Sequence, residues 1–305
     1  MLGADQGREL QAFLSGFRGR RALFAPNPGN GGDSLLAAAG GQALRRAGLR
    51  YRMIHPLDET LDLRGRLVIF GGGGNLIPLY DEGRRFLDRA ATTAERLIVM
   101  PHTFEGHEET LARLGPNATL IAREPRSLAH IRRHAPNAEH RIMPDVALSL
   151  DVGELFGPSR VDALALRRPA WLRLAIAESL RVRRELDRLP PAGTPLESFR
   201  EDLEAAGAAI PPGNRDLSAI FDRGVYPEFL SRILARAMLR GAGRASVVRT
   251  DRLHVCISAL HMGRPVELRD NAFGKLAAVL GHALGDVAAI RWTDAPRPPT
   301  PTGGL

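Results

Sequence analysis

Thr250-Asp251-Arg252-Leu253-His254 sets a guanidinium two residues ahead of an imidazole, just after a short apolar run. Arginine can grip a carboxylate or phosphate through paired N–H donors, and histidine exchanges a proton near neutral pH. Asp270-Asn271-Ala272-Phe273-Gly274-Lys275 follows, and Lys275 is the only lysine in a chain whose Lys+Arg total is 42. Arginine replaces lysine freely at a solvated surface, so a single retained lysine marks a place that needs a compact ammonium. Chance retention explains the lysine equally well on its own, and its neighbours give it weight. The chemistry these types could do together is to hold a small anion and move a proton beside it.

Two glycine-rich loops add to this set. Asn27-Pro28-Gly29-Asn30-Gly31-Gly32-Asp33 joins a strand to a helix, where free N–H groups and the helix dipole favour an anion. Asn30 is a binding candidate. Asp33 is a candidate proton carrier, although capping the helix would account for it nearly as well. The loop lacks the Lys-Ser/Thr pair of a phosphate-binding P-loop and a clean G-x-G-x-x-G, so a nucleotide is poorly supported. In Phe70-Gly71-Gly72-Gly73-Gly74-Asn75, four successive glycines imply close backbone approach to a ligand or to a facing lobe, with Gly73 and Asn75 as contacts. His102, Arg123 and Asp145 each follow an apolar run, the place where open α/β sheets assemble sites. Any one of them could instead cap a helix.

The elements that must position these groups read as βα units. Apolar runs at Arg21–Ala25, Leu67–Phe70, Leu97–Met100, Thr119–Ala122 and Arg141–Met143 predict strands, and amphipathic stretches between them predict helices. Asp162–Leu189 is a long arginine-studded helical pattern interrupted by Pro169; its apolar side is expected on the protein itself more than on lipid. The α/β rhythm then returns, with helices over Tyr226–Arg240, Asp251–Met262 and Asn271–Ala283 and strands over Ala245–Val248 and Arg264–Leu268. Thr194–Ser198 makes a poor strand. The expected fold is α/β: a Rossmann-like lobe over 1–155, a helical connector over 156–192, a second Rossmann-like lobe over 193–293, and a disordered tail over 294–305.

Composition narrows the setting. At 305 residues with 44% hydrophobic and 25% charged residues, the chain reads as an ordinary globular protein. No apolar run is long enough to span a bilayer, and the first residues lack a secretion-signal layout. Cys256 is the sole cysteine, which excludes an intramolecular disulfide or a thiolate metal cluster. A cytoplasmic protein without a metal is expected. The net charge of +8 invites a nucleic-acid reading, but the arginines are dispersed, and 3 Tyr with 2 Trp offer little base stacking. No nucleic-acid partner is expected.

Asn30-Gly31-Gly32-Asp33, Gly72-Gly73-Gly74-Asn75, Arg123-Glu124, Pro144-Asp145, Thr250-Asp251-Arg252-Leu253-His254, and Asp270-Asn271 with Gly274-Lys275 occur in that order. Together they resemble the polysaccharide pyruvyltransferases, the ketal-forming enzymes of bacterial exopolysaccharide assembly, over roughly Ala22 to Leu280. Phe199-Arg200-Glu201-Asp202 looks like the Arg-x-Asp that opens the family's second lobe, a weaker match because of its poor preceding strand. The resemblance implies a two-lobed arrangement similar to GT-B glycosyltransferases. It also implies phosphoenolpyruvate as donor substrate with no cofactor, and an oligosaccharide acceptor. His254 and Asp33 would then be catalytic. Asn30, Gly73, Asn75, His102, Arg123, Arg252, Asn271 and Lys275 would bind substrate. Association with the inner face of a membrane is left open by the basic connector. A sugar-nucleotide glycosyltransferase and a non-catalytic anion-binding protein are the alternatives.

Overall fold

The computed structural model describes the chain apart from residues 1, 3, 203, 204, 206–208, 271–273, 286 and 294–305. Asn271 and the tail therefore lie outside the described residues.

A mixed α/β fold is built on a seven-stranded parallel sheet flanked by helices. Its strands are β1 (Arg21–Ala25), β2 (Arg50–Met53), β3 (Leu67–Phe70), β4 (Gly73–Leu76), β5 (Arg96–Phe104), β6 (Ala118–Ala122) and β7 (Glu139–Ile142). They run in the order β2-β1-β3-β5-β6-β7, with β4 paired to β5 off that path. β3 and β6 are buried along their whole length, as expected of strands covered on both faces. The connecting helices are α1 (Arg8–Ser15), α2 (Gly31–Arg46), α3 (Glu82–Thr93), α4 (Glu108–Ala112) and α5 (Pro125–His134). The chain leaves β1 for β2 on one side and then crosses to β3 on the other. The order reverses there, so the loops after β1 and β3 open a crevice at the carboxyl edge.

Helices α6 (Val152–Phe156), α7 (Arg160–Leu166) and α8 (Pro169–Asp187) follow, with Pro169 in the first turn of α8, where its missing N–H costs nothing. Trp171, Leu174 and Leu186 of α8 pack on the core, while Ile176 and Leu180 stay exposed.

A second parallel sheet has the order β11-β10-β9-β8, from β8 (Leu196–Ser198), β9 (Val248–Thr250), β10 (Val266–Leu268) and β11 (Ile290–Trp292). Its helices are α9 (Leu217–Ile220), α10 (Glu228–Gly243), α11 (Leu253–His261) and α12 (Lys275–Leu284). The strand expected at Ala245–Val248 is displaced toward Thr250, and Thr194–Ser198 yields β8 after all. Thr250 explains both shifts. Its hydroxyl donates to the Ser198 carbonyl at 2.6 Å and accepts from Arg252 N at 3.0 Å, closing β9 against β8.

The two sheets meet where α2 packs along α10. Alanines and glycines over Ala37–Gly41 let the helices approach closely: a Cβ on Gly41 would lie 3.1 Å from Glu228 Oε1 at the start of α10. Arg45 and Tyr51 both reach the Glu228 carboxylate, at 2.6 and 2.7 Å. This contact fixes the carboxyl end of α2; at its amino end a Cβ on Gly31 would lie 3.0 Å from Met238 Sδ of α10 and 3.1 Å from Phe221 Cβ, which sets the loop before α2 against the helices of the smaller sheet.

Candidate active site

The loop after β1 is held by its own side chains. Asn30 Oδ1 accepts from Gly32 N at 2.8 Å and Asp33 Oδ2 from Asn30 N at 2.9 Å, a reciprocal cap on α2. Asp33 Oδ1 also accepts from Asn27 Nδ2 at 2.5 Å. Burial drives the Asp33 pKa up to about 6, against the pull of His254, Asn27, Asn30 and Arg123. A carboxyl titrating there can exchange protons near neutral pH while still capping the helix.

The four glycines after β3 meet protein on nearly every side. A Cβ on Gly71 would lie 2.7 Å from Asn27 N, on Gly72 2.7 Å from the Pro101 carbonyl, and on Gly73 2.7 Å from Asn27 Nδ2. Only Gly74, under Arg123, and Asn75 face the crevice. The expectation that Gly73 contacts substrate is corrected: it packs on Asn27 behind the cavity wall. His102 is corrected likewise. It is fully buried, with Nδ1 3.1 Å from the Gly71 carbonyl and Nε2 3.1 Å from Asn75 Oδ1. Burial first, and Arg123 second, push its pKa down to about 3, so the ring is neutral and supports the glycine run and Asn75 from below.

Arg123, at the end of β6, points its Nη1 at Asp145 Oδ2 across 2.7 Å, and both side chains are buried. His254, in the first turn of α11, brings Nε2 to 3.6 Å from the same Asp145 oxygen, an electrostatic contact longer than a hydrogen bond. Burial alone would raise the Asp145 pKa; His254 and Arg123 outweigh it and hold the carboxyl well below the usual range. On the other side of the imidazole, a Cβ on Gly32 would come within 2.7 Å of Nδ1. His254 thus sits between the ionised Asp145 and the Asp33 loop. Asp145 is the residue that sequence reasoning undervalued. Its position after a strand was visible, its pairing with Arg123 and His254 was not.

Arg252 departs from the expected anion clamp. Its guanidinium is paired with Asp216, through Nη2 and through Nε at 3.2 Å, and with Asp202 through Nη1 at 2.7 Å. Both carboxylates come from the stretch between β8 and α9, so the fork that the sequence offered to a ligand ties that stretch to α11. Asp251 acts similarly, its Oδ1 accepting from Arg200 N at 2.8 Å. Arg200 follows β8 and lines the crevice beside Arg252. Lys275 opens α12 and lines it too.

These groups surround a cavity of about 290 Å³ lined from both sheets. Asn30, Asp33, Asn75, Arg123, Arg252, His254 and Lys275 all face it, as do Arg200, Ser218, Tyr80 and Glu82. The last three gave no local signal in the sequence. Arg123, Arg200, Arg252 and Lys275 line it together with the carboxylates of Asp33 and Glu82, and Arg123 and Arg252 are themselves paired with Asp145, Asp202 and Asp216.

A Rossmann-like α/β scaffold thus brings arginines, the lysine and a histidine–aspartate contact to one crevice. The polysaccharide pyruvyl transferase family model matches residues 30–266, and the chain belongs to that family of transferases. Among solved structures, an uncharacterised protein of Klebsiella pneumoniae is similar, with a TM-score of 0.73 and 25% identity over 96% of this chain and 100% of that one. Comparison with curated proteins gives no match. Among the described residues, no helix is long and apolar enough to cross a membrane.

Proposed function

We propose that the protein moves the pyruvyl group of phosphoenolpyruvate onto two hydroxyls of one sugar in a lipid-linked or free glycan, forming a cyclic ketal. One observation carries this reading: the cavity of about 290 Å³ joins arginines and the single lysine to His254 backed by Asp145. That volume lies at the bottom of the range for small-molecule sites. It suits a three-carbon phosphoester better than a nucleotide sugar. The two sheets serve as cores of two lobes in a GT-B-like arrangement, roughly 1–155 and 193–293 with the connector 156–192 between. The work is done at the cytoplasmic side, the basic outer face of α8 bringing the enzyme to membrane-borne acceptor, without metal or cofactor.

His254, protonated over Asp145, gives its proton to the enol methylene and leaves an oxocarbenium carbon. Asp33 takes the proton of the first sugar hydroxyl as its oxygen bonds to that carbon. The carbon–oxygen bond to phosphate then breaks, and phosphate departs. The second hydroxyl closes the ring and releases its own proton to the site. Arg123, Arg200 and Lys275 hold the carboxylate and phosphate, with Asn30 and Asn75 at the crevice edge.

The test is incubation with phosphoenolpyruvate and a panel of free and lipid-linked oligosaccharides, following phosphate release and the mass of the sugar. One phosphate per ketal is expected. His254→Ala should lose about 10²–10⁴-fold in turnover while phosphoenolpyruvate still raises its melting temperature. Stabilisation by UDP-sugars and not by phosphoenolpyruvate would overturn the proposal in favour of glycosyl transfer.

A further inference from the structure

We infer that Glu108, His130 and His134 form a binding site for a divalent transition-metal ion, with zinc as the best-suited occupant. None of the three lines the cavity described above, and the inference does not depend on the reaction proposed for it. His130 and His134 lie four residues apart on α5, so one face of the helix carries both imidazoles. Their ring centroids are 4.6 Å apart. Glu108 comes from the first turn of α4, and one ligand atom from each of the three residues lies within 4.8 Å of the others.

Those spacings are close to what a metal needs. Zinc–nitrogen bonds of about 2.0–2.1 Å in a tetrahedron put ligand atoms roughly 3.4 Å apart. From separations within 4.8 Å the ligand atoms have about 1.4 Å to close at most. His130 is already oriented: its Nε2 lies 2.9 Å from the Gly106 carbonyl, which fixes the proton there and leaves a lone pair on Nδ1. A carbonyl behind a histidine is the usual second contact of a metal-bound ring. The last turn of α5 adds the negative end of a helix dipole, which favours a cation.

The donor set selects the ion. Two imidazoles and one carboxylate suit zinc, cobalt, nickel or copper, whereas magnesium and calcium prefer oxygen alone. Three protein ligands leave a fourth position for water. The ion would join the 105–108 turn to the end of α5. His107 of that turn also reaches the Ile77 carbonyl at 3.0 Å, so the clip extends toward the segment bearing Tyr80.

The probe is zinc chloride, titrated calorimetrically into the full-length, untagged protein after chelator treatment and dialysis. One equivalent per chain is expected, with a rise in melting temperature. Cobalt should give the strong visible absorption of a tetrahedral site. His130→Ala could loosen the Gly106 turn for reasons unrelated to a metal, so His134→Ala and Glu108→Gln are the informative variants. Each should weaken zinc at least about tenfold, since even outer contacts of metal ligands are worth that much. His55→Ala, in a different part of the molecule, should bind as wild type does. Absence of saturable binding, or equal binding by wild type and His134→Ala, would overturn the site.

Discussion

Asp145→Asn separates two roles that one carboxylate holds together. The substitution keeps the size of the side chain and an acceptor for Ala147 N, which Asp145 Oδ1 receives at 2.9 Å. It removes the charge opposite Arg123, whose side chain is 6% exposed and whose Nε donates to Thr103 Oγ1 at 2.9 Å. Leaving one member of a buried ion pair uncompensated costs about 3–5 kcal/mol, a large part of the 5–15 kcal/mol typical of whole proteins. The melting temperature should fall by about 6–20 °C, toward the lower end because longer chains shift less per kcal/mol. Turnover should fall about 10²–10⁴-fold, as His254 loses the carboxylate that stands beside its Nε2.

The sign of the pH dependence follows from the depressed Asp145 pKa. Its stabilisation is fully present above the unfolded value of 3.8 and is lost as pH falls toward the lower folded value, so the gap between wild type and Asp145→Asn should narrow below about pH 4. Thermal unfolding at neutral and acid pH, with phosphate release on the same samples, measures both effects. Replacing both partners, Arg123→Met with Asp145→Leu, should restore most of the stability and none of the turnover. Two results would refute the reasoning: Asp145→Asn within about 1 kcal/mol of wild type at neutral pH, or a double variant no more stable than the single one.

Asp33 carries the opposite shift, so its contribution runs the other way. With a folded pKa of about 6, the folded state holds this proton more tightly than the unfolded chain, and stability should decline as pH rises from about 4 to 6. The decline is at most about 3 kcal/mol, and its absence in Asp33→Asn is the check; the same variant should lose the acid limb of the rate profile near pH 6. Gly32→Ala drives a methyl into His254 Nδ1 and should cut turnover far more than it lowers the melting temperature, as steady-state kinetics beside calorimetry would register. Burial pushes the Cys256 thiol up to about 12, so a thiol reagent at pH 8 should find no reactive cysteine in the native protein and one after unfolding.

Strands such as Leu67–Phe70 and Thr119–Ala122 were legible because continuous apolar runs bounded by glycine or arginine state their own burial. β4 was not, since Gly-Gly-Asn-Leu has no strand preference of its own. It forms because Gly72 fits against the Pro101 carbonyl and because Gly73 and Leu76 find β5 as a partner. β2, with alternating Arg50, Tyr51, Arg52 and Met53, is an edge strand whose exposed arginines hid it. In the site, residue types were readable and pairings were not. Arg252 looked like an anion clamp because guanidinium chemistry is local, but Asp202 and Asp216, which occupy it, lie in a stretch with no periodic pattern. His102 looked equivalent to Arg123 because both end strands. Both are buried, and only Arg123 reaches the cavity wall, a difference that no local spacing encodes.

The same distinction bears on how the site can handle protons. His254 stands between two carboxylates whose surroundings push them apart: Asp145 is held ionised by Arg123 and His254, and Asp33 is raised by burial to about 6. Two carboxylates separated in this way cannot share one task. Asp145 can orient and balance an imidazolium but does not itself take up a proton near neutral pH. Asp33 can exchange one at the cavity wall, beside His254. An Asp33→Glu variant sharpens this division. It extends the carboxylate away from Asn27 and Asn30, so a loss of turnover with Asp145 and His254 untouched would have to come from the proton that Asp33 carries or from the cap it makes. Melting temperature measured beside turnover weighs the cap, and the pH dependence of turnover weighs the proton.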